Sequence, residues 1–210
     1  MGFYTKHIFP LFMDWACGSK KISAYRKKLL SSVKGKILEI GFGTGLNLES
    51  YPSWVNAITV IDPNPGMKKK ALKRAARSGI KVGHHLLTAE KLPFENQTFD
   101  SVVSTFTLCS IPDVELALWE IHRVLNKDGR LYFLEHGLSP DPSVQKSQNR
   151  WTPWQKRFAD GCHLNRDMAA IISGAGFEFA ELKKFYHPSY PKTFGFFYQG
   201  IALKEGGPSS

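Results

Sequence analysis

The sequence predicts an α/β domain built on a doubly wound, mainly parallel sheet of seven strands, with a C-terminal antiparallel strand and an N-terminal helical cover. Three observations predict it. Between residues 36 and 136, short apolar runs alternate with longer amphipathic ones. The short runs are apolar on both faces, as in a sheet covered by helices on each side. The last two strand-like runs, FEFAELKKFYH and TFGFFYQGIALK, are joined by a proline-containing loop without a helix, so they should pair antiparallel.

Each element has its own signal. KILEIGF is a buried strand ending at Gly41, and LNLESY begins a helix stopped near Pro52. AITVID is a second strand, rich in β-branched residues and closed by Asp62. NPGMKKKALKRAARSG reads as a helix with Pro65 early, cations late and Gly79 as its stop. IKVGHHLLT and FDSVVSTFTLCS are strands three and four. VELALWEIHRVLNKDG is an amphipathic helix with Asp113 as N-cap, Gly129 as stop, and Leu116, Trp119, Ile121, Val124 and Leu125 on one face. RLYFLEH is strand five. Residues 137–162, with three prolines, two tryptophans and little periodicity, read as an insertion forming a long connection or short helix. NRDMAAIISGAGF is a helix before the final strand pair. These signals divide the chain into a basic, aromatic lid over 1–34, a main domain over 35–203 and a disordered tail over 204–210.

Composition narrows the function classes. A 42% hydrophobic and 22% charged content excludes global disorder, and 210 residues suffice for one sizeable core. Cys17, Cys109 and Cys162 are far apart with no CxxC pair, which points away from a disulfide framework and from a metal site, and towards a reducing cytoplasm. Residues 1–36 carry eight cations against Asp14, or +7 of the net +10. Such a segment reads as a surface helix or as a peripheral contact with an anionic membrane. The run IFPLFMDWAC is broken by Pro10 and Asp14, so it is neither a signal peptide nor a membrane span.

The glycine turn after strand one decides the ligand. A dinucleotide fingerprint needs G-x-G-x-x-G, but here Gly41, Gly43 and Gly45 are spaced G-x-G-x-G, and Leu46 stands where the third dinucleotide glycine belongs. Glu39, two residues ahead, would repel a phosphate and suit an ammonium group. Asp62, 17 residues beyond Gly45, can accept both hydroxyls of a ribose.

With these features the chain resembles the class I S-adenosylmethionine-dependent methyltransferases. The stretches AEKLPFENQTFDSVVSTFTLCSIPD and HRVLNKDGRLYFLEH are similar to that family's passages around strands four and five. FTLCSI, YFLEH and WQKRFADGCHLNRD resemble the ubiquinone/menaquinone-biosynthesis-like methyltransferases and, nearer still, the methyltransferase-like 7 proteins, which are thiol methyltransferases. The resemblance implies a Rossmann-like methyltransferase fold, S-adenosyl-L-methionine as methyl donor and S-adenosyl-L-homocysteine as product. It implies that Gly41, Gly43 and Gly45, with Thr44 and Asn47, meet the methionine part of the donor and that Glu39 faces its ammonium. Asp62 would hold the ribose, and Pro63 or Asn64 would flank the adenine. Ala89 and Glu90 would border the adenine edge, with Thr105 and Phe106 beside the sulfonium. Many relatives carry Asp where this chain has Thr88, so the adenine contact differs here.

The acceptor is less legible. His136, at the end of strand five, is the first candidate base and His163 the second, ahead of His84 and His85. Leu108, Cys109 and Cys162 read as core. Tyr4, Phe9, Phe12, Trp15, Tyr25, Trp151, Trp154 and Phe158 would form an aromatic cover over a small lipophilic or planar acceptor with a thiol, oxygen or carbon nucleophile. Two alternatives are a nucleic-acid methyltransferase and a non-catalytic, membrane-associated cofactor-binding protein. The first lacks an N/D-P-P-Y motif, and the intact Glu39, glycine and Asp62 set argues against the second. The expected partners are therefore a small-molecule acceptor, without nucleic acid, in a monomer or weak dimer.

Overall fold

A computed structural model describes Asp14, residues 16–66 and residues 68–205. The expectations for Tyr4, Phe9, Phe12, Trp15 and the last five residues lie outside this set. Seven strands form one sheet: β1 (Ile37–Ile40), β2 (Ala57–Ile61), β3 (Lys81–His85), β4 (Phe99–Thr105), β5 (Leu125–His136), β6 (Phe177–Tyr186) and β7 (Phe196–Lys204). Their order is β3-β2-β1-β4-β5-β7-β6. The first five are parallel, and β7 runs antiparallel to both β5 and β6, so the predicted sheet is observed. The order reverses between β1 and β4, and ligands of such sheets bind in the crevice beyond the carboxyl ends of these two strands.

Helices α1 (Lys20–Leu30), α2 (Lys68–Ser78), α3 (Val114–Val124), α4 (Pro142–Phe158) and α5 (Met168–Gly174) cover the sheet. Alternation along β5 shows the two-layer burial. Leu131 and Phe133 pack with Leu118 and Ile121 of α3 and Ile172 of α5. Tyr132 and Leu134 face the other way, with Ile22, Leu29 and Leu30 of α1. α1 is thus part of the core: Ile22, Arg26, Leu29 and Leu30 form its buried stripe at helical spacing.

Four local expectations need correction. LNLE makes a single 3₁₀ turn, Leu46–Glu49, because Gly45 at φ 80° leads straight into a chain that must return to β2. In α3 the buried stripe is Val114, Ala117, Leu118, Ile121 and Val124, while Leu116 and Trp119 are exposed. That helix ends at Val124 rather than Gly129, which lies within β5 near the shift in pairing between Phe99 and Ser101. Residues 142–158 form a 17-residue helix rather than a connection. Asp141 caps it by accepting from the Ser143 N–H at 2.8 Å, and Pro142 occupies the first turn, where no N–H is required. Its buried face is Val144, Gln148 and Thr152. Gln148 accepts from the Ser139 N–H (3.0 Å) and donates to the Gly137 carbonyl (3.0 Å), so polar pairing rather than apolar periodicity seats this helix. Thr152 donates to the Gln148 carbonyl (2.7 Å) one residue before the internal Pro153.

Candidate active site

A cavity of about 770 Å³ opens at the carboxyl ends of β2, β1, β4 and β5. The glycine turn forms one wall. Gly41, Gly43 and Gly45 all have positive φ, at 71°, 55° and 80°. A Cβ on Gly41 would collide with the Thr107 side chain, whereas one on Gly43 would meet no other atom within 4 Å. The turn is therefore both wound tightly and stripped of side chain where it lines the cavity.

Asp62 closes this end. Its carboxylate accepts from the Gly43 N–H at 2.6 Å and the Asn64 N–H at 2.7 Å, which fixes the turn to the end of β2. Burial raises its pKa, and these two bonds oppose the rise. Glu39, on β1, is 1% exposed. It accepts from Asn47 Nδ2 (3.0 Å) and from the Tyr51 hydroxyl (2.7 Å), both neutral donors. Burial pushes the Glu39 carboxyl up to about 7 against the pull of those bonds. Asn47 also donates to Thr105 Oγ1 at 3.0 Å, tying the turn to the end of β4.

The structure brings most of the sequence-derived set together. Glu39, Gly41, Gly43, Thr44, Asn47, Asp62, Pro63, Ala89, Glu90, Thr105, Phe106 and His136 all line the cavity. Gly45 and Asn64 stand just behind it, and His163 is not among the lining residues. His163 Nδ1 lies 3.2 Å from the Cys109 carbonyl, which also accepts the His163 N–H at 2.8 Å. The cover differs from expectation. Ala16, Cys17 and Arg26 on one side, and Gln155 with residues 159–162 on the other, line the cavity. Trp151, Trp154 and Phe158 are instead exposed on α4, and Tyr25 packs on Phe185 with ring centroids 4.8 Å apart.

Asp14 is fastened beside the turn. It accepts from the Thr44 hydroxyl and pairs with Lys70 (2.6 Å) and Arg74 (3.0 Å) of α2. The Tyr190 hydroxyl donates to the Ala16 carbonyl from the opposite side.

Three features escaped the sequence reading. Arg26, counted there as surface charge, is 3% exposed and lines the cavity. It donates to the Cys17 carbonyl at 2.6 Å, sits 5.5 Å from the Phe106 ring centroid, and its Nε has no partner among the described residues. The signal was present: Arg26 falls on the apolar stripe of α1, where a solvated cation does not belong. Glu135 is fully buried and clamps the turn after β4, accepting from Ser104 Oγ (2.8 Å), the Thr107 N–H (3.1 Å) and the Cys109 N–H (3.3 Å). Cys109, His136 and Cys162, read separately in the sequence, converge on one wall. Contact with the Cys109 thiol, and the His136 imidazole beyond it, hold the Cys162 thiol well below its ordinary value despite burial.

These residues fit a zwitterionic nucleoside donor. Among the described residues the buried Glu39 carboxylate has no cationic hydrogen-bond partner, the nearby Arg26 has an orphaned donor, and Asp62 lines the same cavity. Comparison with known proteins gives the same answer. A methyltransferase domain model matches residues 38–133. The chain is 32% identical over 193 residues to thiol S-methyltransferase TMT1B of Mus musculus, covering 85% of this chain and 78% of the relative. It is 31% identical over 205 residues to thiol S-methyltransferase TMT1A of Homo sapiens, covering 87% and 80%. The fold superposes on the YcgJ protein of Bacillus subtilis with a TM-score of 0.70 at 18% identity, covering 88% of this chain and 99% of that one. The chain belongs to the class I S-adenosylmethionine-dependent methyltransferases.

Proposed function

We propose that the protein methylates the sulfur of a small lipophilic thiol. The observation that carries this reading is the make-up of the cavity beyond β4 and β5. It is lined there by Phe106, Ile111, Ala159, Pro191 and Phe194, with His136, Cys109 and Cys162 as the polarisable groups. An apolar wall with few polar groups selects a lipophilic molecule. The two thiol S-methyltransferase relatives support sulfur as the nucleophile.

Bound S-adenosylmethionine supplies a methyl group on a sulfonium, open to in-line displacement. The chain's residues hold and orient. Glu39 receives the ammonium and Arg26 the carboxylate of the methionine part, while Asp62 takes the ribose hydroxyls and Pro63, Ala89 and Glu90 flank the adenine. Thr105 and Phe106, at the end of β4 and on the cavity wall, would face the sulfonium end of a bound donor. Phe106 is fixed there at φ 55°, between His136 and Phe197, at ring-centroid distances of 5.1 and 5.2 Å. Alignment supplies most of the acceleration, since a thiol is already a few per cent thiolate near neutral pH.

Ala16, Cys17 and Arg26 from the N-terminal side, and Gln155 with residues 159–162 from the insertion, cover the cavity. Asp160, two residues before Cys162, hydrogen-bonds the Asn64 side chain, which ties the insertion to the loop after β2. Among the described residues no helix is long and apolar enough to cross a membrane. A labelled-methyl screen over alkane and aryl thiols, phenols, quinols, phosphatidylethanolamine vesicles and RNA tests this reading. Label on a thiol sulfur is expected; label confined to an oxygen, a lipid amine or RNA refutes it.

A further inference from the structure

Cys109 lies in the turn after β4, His136 at the end of β5 and Cys162 in the loop after α4, and all three line the cavity. Their ligand atoms lie within 4.8 Å of one another. Cys162 Sγ is 3.5 Å from Cys109 Sγ and 3.8 Å from His136 Nδ1. Sulfur and imidazole nitrogen bound to one tetrahedral zinc, at about 2.3 and 2.0–2.1 Å, stand roughly 3.5–3.8 Å apart. The two Cys162 spacings are close to those of a bound ion, and Cys109 and His136, within 4.8 Å of each other, would stand about 3.6 Å apart with the ion in place.

The elements carrying the three groups are braced. Glu135 holds the Cys109 backbone, as described. Asp160 (φ 49°) and Gly161 (φ 87°) make the tight bend that delivers Cys162, and a Cβ on Gly161 would lie 2.8 Å from the Ser110 carbonyl. The loop of Cys162 is thus pressed onto the turn of Cys109. The His136 ring is packed between Phe106 and Phe197, at ring-centroid distances of 5.1 and 5.0 Å, which limits how it can turn. Two sulfurs and one imidazole suit zinc and not magnesium or calcium. Structural zinc sites are closed by four protein ligands; three with an open face make the catalytic pattern.

We propose that Cys109, His136 and Cys162 hold a zinc ion whose fourth position opens on the cavity and takes the acceptor sulfur. The fourth position rests on the thiol reading above. The acceptor thiol gives its proton to solvent as its sulfur binds. Its electron pair then forms the bond to the methyl carbon while the carbon–sulfonium bond breaks, leaving that pair on the sulfur of S-adenosylhomocysteine. The neutral thioether, a weaker ligand, leaves. His136 serves here as a ligand in place of a proton acceptor, and the expectation of no metal site is reversed: separations of 53 and 26 residues along the chain hid a cluster that the fold assembles.

The test uses the full chain purified reduced and without chelator. Elemental analysis should give one zinc per chain, and dialysis against Co²⁺ should give a thiolate-to-cobalt absorption band that shifts when an alkanethiol is added. Cys109→Ser and Cys162→Ser should weaken zinc binding at least tenfold while S-adenosylmethionine affinity stays within a few-fold. If those variants do not fold, alkylation of the native protein by iodoacetamide decides: zinc should protect Cys109 and Cys162, and a chelator should expose them. Protein that binds neither Zn²⁺ nor Co²⁺ at micromolar concentration, with alkylation unaffected by zinc, overturns the site. Metal-free protein that still methylates a thiol at full rate overturns it too, and leaves the proposed function standing. A cobalt band indifferent to thiols, in protein that methylates none, overturns the sulfur assignment itself.

Discussion

The buried carboxylate of Glu39 makes a prediction with a definite sign. Its carboxyl rises from 4.5 to about 7 on folding, which corresponds to roughly 3 kcal/mol. A carboxyl whose folded pKa is raised favours the protonated folded state. Below about pH 4.5 both folded and unfolded chains are protonated and the group costs nothing. Between pH 4.5 and 7 the unfolded chain ionises first, so the free protein loses up to about 3 kcal/mol, and the full cost applies above pH 7. An ammonium facing Glu39 reverses the preference, because only the ionised carboxylate pairs with it. Donor affinity should therefore be flat above pH 7 and fall about tenfold for each pH unit below it. Calorimetric titration with S-adenosylmethionine from pH 5.5 to 8 reads this directly, and buffers of different ionisation enthalpy count the proton released. Glu39→Gln should bind at least tenfold more weakly at pH 8, lose the pH dependence, and make the free protein more stable at pH 8 than the parent. A parent profile as flat as that of the variant would refute the assignment of Glu39 to the ammonium.

Asp62→Ala should weaken donor binding by about two orders of magnitude in the same titration, since it removes a buried charge-assisted contact together with two bonds that shape the turn. Arg26→Met keeps the apolar stem in the core and deletes the guanidinium; donor affinity should fall at least tenfold while the urea midpoint stays near the parent's. Gly41→Ala combines a φ of 71° with a collision against Thr107 and should cost about 1–3 kcal/mol in urea denaturation. Gln148→Ala strands the Ser139 N–H and the Gly137 carbonyl beneath α4; about 1–3 kcal/mol is expected, with faster proteolysis between residues 137 and 162.

The legible parts of the sequence were those where burial alone sets the pattern. β1 and β4 are buried on both faces, so their apolar runs stand out, and the G-x-G-x-G spacing with Glu39 and Asp62 marks one wall of the cavity. Legibility failed where polar pairing replaces apolar contact. Gln148 and Thr152 seat α4 by hydrogen bonds, so its buried face shows no hydrophobic stripe. In α3, eleven residues are shared between one buried stripe and an exposed face that carries Trp119, and an aromatic was read as core on hydrophobicity alone. Arg26 was hidden by its company, one cation among eight in a basic segment. Cys109, His136 and Cys162 lie in three elements that only the sheet order brings side by side.

The central claim is methyl transfer to a thiol sulfur, and a single-turnover experiment tests it most directly. Protein loaded with one equivalent of methyl-labelled S-adenosylmethionine is mixed with an alkanethiol or with the alcohol of the same chain length, and quenched samples are analysed for both products. The account predicts labelled thioether and S-adenosylhomocysteine in equal amounts with the thiol, and neither with the alcohol. Equal methylation of the alcohol, or S-adenosylhomocysteine formed without thioether, would contradict it.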